Sequence, residues 1–398
     1  TTGAHGITVE QDGTGDAVVQ YLLTGTRRWV TGIDNSDSDK FKFSYSGDLG
    51  SDEILSLNPN DDAAIFAGTV AGTSFNGIPF YSNDNSIYTH NVSATDSNAV
   101  QNAAYGFAAM DAITTGDENV AIGFNAASAL NTGAQNTIVG AYAGDALTTG
   151  IRNVAIGYQA LTTEDTHHYN VAIGYRSLQS QNAGANAYNV AVGADAGRAI
   201  TTGIRNTIVG GLAGDSLTTG AQSTFVGYQA GGATTDQSFN TAIGDSALST
   251  NVNGARNVAI GNSALATMNP DSDTDTYNVA IGYDAGNAMT TAVRNTIVGG
   301  LAGDALTTGG HNVAVGYEAL SLEDAHGGNT AVGAQALRVL NAGADGFNTA
   351  IGFVAGEAMT TGIKNTIIGG FAGDALTTGT ENTAIGYFAL STEDTGNY

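Results

Sequence analysis

Short apolar segments recur at a nearly fixed interval from about residue 101 onward. Each segment follows the pattern Asn-(Val/Thr)-(Ala/Ile)-(Ile/Val)-Gly, and polar turns rich in Thr, Gly, Asn and Asp separate the segments. Thirteen of the sixteen intervals between repeat glycines are 17 residues, and the others are 19, 21 and 19. This period predicts a solenoid, in which each repeat forms one coil that buries its apolar side against its neighbours. The seventeen repeat glycines, the first in a degenerate copy, are Gly106, Gly123, Gly140, Gly157, Gly174, Gly193, Gly210, Gly227, Gly244, Gly261, Gly282, Gly299, Gly316, Gly333, Gly352, Gly369 and Gly386.

The apolar segment predicts a strand that is buried on both faces. The residue directly before the glycine is Ile or Val in every clear copy, and we expect it to face the core. The residue two before the glycine alternates between Ala and a bulky side chain. One face can pack inside the coil, whereas the other needs a second surface, most simply another copy of the chain. The predicted core and subunit-packing residues are Ile122, Ile138, Val139, Ile156, Ile173, Ile208, Phe225, Ile297 and Ile367.

Each coil also carries a second apolar anchor. Three residues after the glycine comes Ala in sixteen of the seventeen coils, with Ser177 as the exception, and this small residue indicates a tight corner. Seven coils place Leu at the next position, and nine place Gly, Ala or Met there with an apolar residue three further on. Only the coil of Gly227 fits neither type.

The asparagine four residues before the glycine occupies sixteen of the seventeen coils, and Ser223 replaces it in the other. Stacked in register, such amides can form a hydrogen-bonded ladder that caps the incoming turn. At a strand spacing of roughly 4.7 Å, the seventeen coils would make a rod about 80 Å long. The predicted ladder includes Asn119, Asn136, Asn153, Asn170 and Asn206.

The chain before the repeats predicts a different organisation. Residues 1–62 predict a small all-β domain with strands at Ala17–Leu23, Arg28–Ile33, Phe41–Tyr45 and Ile54–Leu57. Residues 63–100 are rich in Gly, Ser and Asn and predict irregular first coils or a linker. The repeat array of residues 101–398 breaks off in mid-period, so we expect the natural protein to continue beyond it.

Composition narrows the classes of function. The chain has 37 Asp and Glu against 12 Lys and Arg, a formal net charge of −25, which disfavours nucleic acid as a partner. It has no cysteine, which excludes disulfides and cysteine-ligated zinc. No run of about 18 apolar residues predicts a membrane-spanning helix, so no membrane insertion is expected.

No clustered acid, base or nucleophile predicts catalysis, so we expect a non-enzymatic protein without cofactor or metal. The acidic pairs in three equivalent turns are interpreted as solvated carboxylates, with a glycosidase-type pair as the alternative. His167 and His168 are interpreted as exposed loop residues, although threefold symmetry could gather copies into a metal site. The acidic pairs are Glu164-Asp165, Glu323-Asp324 and Glu393-Asp394.

Two further charged groups are interpreted as surface features. Asp34, Asp37 and Asp39 predict a solvated hairpin turn rather than a calcium loop. Five basic residues each stand five positions before a repeat glycine and could pair with Asp145, Asp215, Asp304 or Asp374 on adjacent coils or chains. These basic residues are Arg152, Arg205, Arg256, Arg294 and Lys364.

The repeat motif resembles those of two families of trimeric surface proteins. Asn-Val-Ala-Ile-Gly, as at residues 119–123 and 153–157, resembles the head repeats of trimeric autotransporter (YadA-like) adhesins. Residues 382–390, Asn-Thr-Ala-Ile-Gly-Tyr-Phe-Ala-Leu, are more similar to the repeats of tail fibres from tailed bacteriophages. Residues 29–42 are similar to a segment that commonly precedes such repeats in phage fibre proteins, and they favour phage.

This resemblance implies a parallel, left-handed β-roll with three chains to a fibre, carried on the virion and exposed outside the cell. It implies a structural and adhesive role in host attachment, with other tail or baseplate proteins and a host cell-surface glycan or protein receptor as partners. In many phage relatives a C-terminal chaperone domain follows the repeats and is cleaved off after trimerisation. The alternative functions are a cellular trimeric adhesin and a tailspike-type polysaccharide depolymerase.

Overall fold

The computed structural model describes residues 15–23, 27–34, 40–44, 53–58, 63–65, 74–75, 78–79, 81–83, 86–88, 99–392 and 394–396. All regular secondary structure in these ranges is β, which confirms the predicted all-β class. The chain divides into two compact units, Thr1–Phe80 and Tyr81–Tyr398.

The N-terminal unit contains an antiparallel sheet of five strands in sequential order. Four of the strands overlap those that the sequence predicts, and the fifth is an addition. Asp34 is buried in the second strand, where its Oδ2 accepts a hydrogen bond from Lys42 Nζ at 2.8 Å. The interpretation of Asp34 as a solvated turn residue is therefore wrong, and Asp37 and Asp39 lie outside the described residues. The strands are β1 (Ala17–Leu23), β2 (Arg27–Asp34), β3 (Lys40–Ser44), β4 (Glu53–Asn58) and β5 (Ala63–Ile65), followed by the short antiparallel pair β6 (Ser74–Phe75) and β7 (Ile78–Pro79).

The second unit is a parallel β-solenoid with coils of about 17 residues, as the period predicts. Each coil contributes one three-residue strand, and each strand pairs in register with the strand of the next coil, for example Ala121 with Ile138. The strands are β8 (Tyr81–Asn83), β9 (Ser86–Tyr88), β10 (Ala103–Tyr105), β11 (Val120–Ile122), β12 (Thr137–Val139), β13 (Val154–Ile156), β14 (Val171–Ile173), β15 (Val190–Val192), β16 (Thr207–Val209), β17 (Thr224–Val226), β18 (Thr241–Ile243), β19 (Gly254–Ala255), β20 (Val258–Ile260), β21 (Thr274–Asp275), β22 (Val279–Ile281), β23 (Thr296–Val298), β24 (Val313–Val315), β25 (Thr330–Val332), β26 (Thr349–Ile351), β27 (Thr366–Ile368) and β28 (Thr383–Ile385).

The ladder of repeat strands begins at a hairpin. Strands β8 and β9 are antiparallel, and β9 then pairs in parallel with β10. The two-residue strands β19 and β21 lie outside the ladder and pair with each other between neighbouring coils. The β20 strand pairs directly with β22, so the ladder of repeat strands is continuous.

The central side chain of each strand points into the coil, and its two neighbours point outward. Successive side chains of a strand alternate between faces, so two adjacent apolar residues cannot share the interior. Ile138, Ile208, Phe225, Ile297 and Ile367 are central residues, and all are fully buried within a single chain.

The residue directly before the glycine therefore faces outward. Ile122 is 42% exposed, and Val139, Ile156 and Ile173 are half-buried. The prediction that these four residues face the core is wrong. The sequence shows two adjacent apolar columns, and the frequent Ala in the first column fits the narrow interior better than the β-branched residues of the second.

The interior has room for one large side chain either at the strand centre or four residues after the glycine. All five coils with Ile or Phe at the strand centre carry Gly at the later position. A Cβ on Gly144 would lie 3.2 Å from Ile138 Cδ1, and one on Gly231 would lie 2.6 Å from the Phe225 ring. The coil of Gly227, which fits neither sequence type, is thus filled by Phe225.

The repeat glycine is required by both backbone conformation and close approach. Its φ lies between +131° and +143° in every coil, a region that L side chains rarely adopt. A Cβ on Gly210 would lie 2.3 Å from the carbonyl oxygen of Gly227 in the next coil. No side chain can therefore replace this glycine without separating the coils.

Gly210→Ala should lower the free energy of unfolding by more than about 2 kcal/mol, because backbone strain of about 1–3 kcal/mol adds to the contact with the next coil. Gly211→Ala is the matched control, since a Cβ there meets Tyr228 Cδ2 at an ordinary 3.7 Å. It should change stability by less than about 0.5 kcal/mol. Chemical denaturation of both variants measures the difference, and equal losses would contradict the role assigned to Gly210.

Ala155→Ile and Leu161→Gly should each destabilise the coil of Gly157, by about 1–3 kcal/mol for overpacking and about 2–5 kcal/mol for the cavity. Together they recreate the pairing of Ile138 with Gly144. The double variant should therefore lose less stability than the two single losses added together, and the difference should be at least about 1 kcal/mol. A double-mutant cycle by chemical denaturation measures this coupling, and strict additivity would refute the shared space.

Candidate functional site

A buried asparagine ladder runs along the solenoid. The Asn119 Oδ1 accepts a hydrogen bond from the backbone N–H of Asn136 at 3.0 Å, and Asn136 Nδ2 donates to the Gly150 carbonyl at 2.8 Å. The same backbone bond joins Asn136 to Asn153, and Asn153 to Asn170. These amides are inaccessible to a ligand, so their role is structural.

The ladder continues through the coil in which serine replaces asparagine. Asn206 Oδ1 accepts from the Ser223 N–H at 2.9 Å, and Ser223 Oγ in turn accepts from the Asn240 N–H at 3.2 Å. Serine retains the acceptor but lacks the amide donor that Asn206 provides to the Gly220 carbonyl at 2.9 Å.

The outward residues of the repeat strands form an uncharged and largely apolar surface, which we call the outer strand face. It consists of the residues one and three positions before each repeat glycine. In all seventeen coils the first is Ile, Val or Tyr and the second is Val, Thr or Ala. Ile243, Ile281, Ile351 and Ile385 are among the exposed members. Since no position of this face carries a charge, the face contrasts sharply with a chain of net charge −25.

Aromatic side chains follow the glycine and form a second exposed column, the aromatic column. Phe107 stacks on Phe124 with ring centroids 5.8 Å apart, and Tyr158 stacks on Tyr175 at 5.7 Å. Tyr283 is 60% exposed. The column is interrupted where Ala, Gly, Asp or Asn follows the glycine, but its clusters of exposed aromatic side chains are of the kind that marks association sites.

A third column, the flank column, lies five residues before each glycine and collects most of the cations of the solenoid. Arg256 Cζ lies 4.6 Å from the Phe239 ring centroid and 5.7 Å from that of Tyr277, and Arg256 Nε is 2.9 Å from Asp275 Oδ1. Tyr169 and Tyr188 stack at 4.9 Å. Aromatic and basic side chains therefore occupy most positions of the flank column between residues 152 and 364.

The cations of the flank column do not pair within the chain with the four aspartates that the sequence suggests. Arg152 bonds to Gln135 and Tyr169, and Lys364 pairs with Glu381 at 3.2 Å. Asp215 lies 4.0 Å from Arg198 instead. The Oδ1 atoms of Asp145, Asp304 and Asp374 are buried without a hydrogen-bond partner. Burial raises the pKa of the Asp145 and Asp304 carboxyls.

The acidic turns are more buried than the sequence predicts. Glu164 and Glu323 are fully buried, so the interpretation of these two residues as solvated carboxylates is wrong. Their turn places each glutamate at a position that points into the coil. His167 and His168 are half-buried rather than exposed, and Glu393 lies outside the described residues.

The chain matches no protein-family model, no curated protein and no solved structure. Among the residues that the structure describes, there is no helix of the length and apolarity that crossing a membrane requires.

Asn206→Ala should lower the free energy of unfolding by about 2–4 kcal/mol, because it leaves the Ser223 N–H and the Gly220 carbonyl unpaired in a buried environment. Asn206→Ser should cost less, since serine retains the acceptor, as Ser223 does. Denaturation curves of both variants test the ladder. A serine variant as unstable as the alanine variant would show that the acceptor contributes nothing.

Proposed function

We propose that the chain is a structural and adhesive segment of a bacteriophage tail fibre, in which three copies form a shaft that mediates or presents attachment to the host surface. The observation that carries this proposal is the uncharged, partly exposed outer strand face that follows all the repeat strands of the solenoid. The resemblance of the repeats and of residues 29–42 to phage fibre proteins supports the choice of fibre.

The charge distribution favours association of identical chains through the outer strand face. Each copy carries a net charge of −25, so bringing copies together costs electrostatic energy wherever charged surfaces meet. The centres of stable protein interfaces are depleted of charged residues and enriched in aromatic ones. The outer strand face meets the first condition, and the aromatic column meets the second.

The interior supports a mechanical role. Backbone hydrogen bonds join successive coils not only at the strands but also at the turns, as between the Ala127 N–H and the Ala143 carbonyl at 2.9 Å. These bonds and the asparagine ladder both run from coil to coil along the solenoid. Hydrogen bonds that run along the axis of the solenoid resist separation of its coils, as a shaft requires.

The flank column supports the attachment role. Tyrosine and arginine dominate the energetically important contacts of protein binding surfaces. Here they stand in one column, with Arg152, Tyr169, Tyr188 and Arg205 on four successive coils. An elongated host glycan or protein could contact several coils at once along such a strip.

The wild-type chain should have a solution mass of about three times 40.1 kDa. Ile281→Lys combined with Ile351→Lys should reduce this mass, because buried ammonium groups would be unpaired in the interface. Thr132→Lys combined with Gln222→Lys is the matched control with the same added charge on exposed positions outside the outer strand face. Sedimentation equilibrium measures the masses. A monomeric wild type, or equal dissociation of both variants, would refute the trimer.

Attachment can be tested separately by incubating the labelled wild-type protein with whole cells of a panel of bacterial strains. Specific retention on a subset of strains is the expected result. Release of shortened polysaccharide into the supernatant would instead favour the depolymerase alternative, and the absence of binding across the panel would remove support for an adhesive role of this segment.

A further inference from the structure

Two buried glutamates occupy a column that is otherwise mainly apolar. The residue seven positions after the repeat glycine is fully buried in all sixteen coils in which the structure describes it. In most coils it is an apolar residue, namely Ile113, Leu130, Leu147, Ile200, Leu217, Met268, Met289, Leu306, Leu340, Met359 or Leu376. In two coils it is Glu164 or Glu323. A carboxylate in such a position loses its hydration and requires compensation.

The protein compensates only part of this loss. Glu164 Oε1 accepts a hydrogen bond from the His167 backbone N–H at 3.0 Å and lies 2.9 Å from His167 Nδ1. Glu164 Oε2 is buried and has no hydrogen-bond partner. The corresponding Oε2 of Glu323 accepts one long hydrogen bond, from the Ala342 N–H at 3.4 Å. Glu323 Oε1 accepts a hydrogen bond from the His326 backbone N–H at 3.2 Å and lies 3.3 Å from His326 Nδ1.

An aspartate and a histidine complete the same cluster in both turns. Glu164, Asp165 and His167 each offer one potential ligand atom, and these three atoms lie within 4.8 Å of one another. The same holds for Glu323, Asp324 and His326. The aspartate and histidine are half-buried, so the cluster is accessible from solvent while its glutamate is not. The two clusters stand at equivalent positions in coils 159 residues apart, since 323 − 164 = 159.

A threonine of the preceding coil and the ladder asparagine of the same coil hold the two sides of each turn. In the first turn, the Asp165 carbonyl accepts from Thr148 Oγ1 at 2.9 Å, and the His167 carbonyl accepts from Asn153 Nδ2 at 2.9 Å. In the second turn, Thr307 Oγ1 and Asn312 Nδ2 donate to the equivalent carbonyls at 2.7 and 3.1 Å. The cluster is therefore positioned before any ligand arrives.

From the three clustered donors and the unpartnered buried oxygen of Glu164, we infer that the turns 164–167 and 323–326 each bind one divalent transition-metal ion. Two carboxylate oxygens and one imidazole nitrogen form a donor set suited to zinc, manganese or cobalt, with water completing the coordination. Calcium and magnesium prefer sites built from oxygen alone. A bound dication would compensate the charge of the buried glutamate and stabilise the conformation of the turn.

The third equivalent turn provides an internal comparison. It carries Glu393 and Asp394, but Gly396 stands where His167 stands in the first turn. Without the imidazole it has only two of the three donors. The expected stoichiometry is therefore two ions per chain rather than three.

Equilibrium dialysis of the chelator-treated full chain against ZnCl₂, followed by metal analysis, should give two zinc ions per chain, whereas CaCl₂ should give none. Glu164→Gln should reduce the zinc count to one, and Glu164→Gln with Glu323→Gln should reduce it to zero. CoCl₂ titration should produce a visible absorption spectrum that is lost in the same double variant. Absence of zinc binding by the wild type would overturn the proposal.

Further variants separate metal binding from a purely structural glutamate–histidine contact. His167→Ala leaves the buried column intact and should weaken zinc binding at the first turn by more than about tenfold. Asp236→Asn and His311→Ala remove one carboxylate and one imidazole elsewhere and should leave the count at two. Circular dichroism verifies the fold of each variant. Zinc binding that survives both the glutamine and the alanine changes would show that the ion binds elsewhere and refute the proposed sites.

Discussion

The contact between successive repeat glycines determines the geometry of the whole solenoid. At this contact the backbones of neighbouring coils approach so closely that a single Cβ would collide with the next carbonyl. The approach allows the short strands on one side of the glycine and the turns on the other to form hydrogen bonds with the next coil. Three other positions in each coil adopt positive φ, mostly without glycine, and the intercoil bonds compensate for their strain. Arg205, for example, donates its N–H to the Ala187 carbonyl at 2.7 Å.

Periodicity was sufficient to predict the solenoid, since a repeat of 17 residues defines the coil and its register. It was insufficient to predict which apolar column lies inside. Ile138 and Val139 are both apolar and adjacent, and only the sharing of interior volume shows that Ile138 is the buried one. The sequence shows this sharing as a glycine four residues after the repeat glycine in every coil whose strand centre is Ile or Phe.

The acidic turns show a different limit of sequence analysis. A Glu-Asp pair among Thr and Gly residues has the composition of a solvated turn, and Asp165 is indeed partly exposed. Glu164 instead occupies a column whose other members are mostly Leu, Ile and Met. Alignment of the coils by their glycines, rather than local composition, was the signal that could have identified it. In a repeat protein the equivalent position therefore predicts burial better than the identity of the residue does.

The longer coils follow from the same constraint. The strand ladder passes uninterrupted from Val258 to Val279, although 21 residues separate the two glycines, so the additional residues lie in the turns. Gly184 and Gly343 belong to the two coils of 19 residues, and a Cβ on either would meet nothing within 4 Å. Additional residues can thus be accommodated in turns where the neighbouring coils leave space. No residue can be inserted at the contact between repeat glycines. Because the outer strand face belongs to the regular part of every coil and the added residues lie in the turns, the turns can vary in length without disturbing the outer strand face.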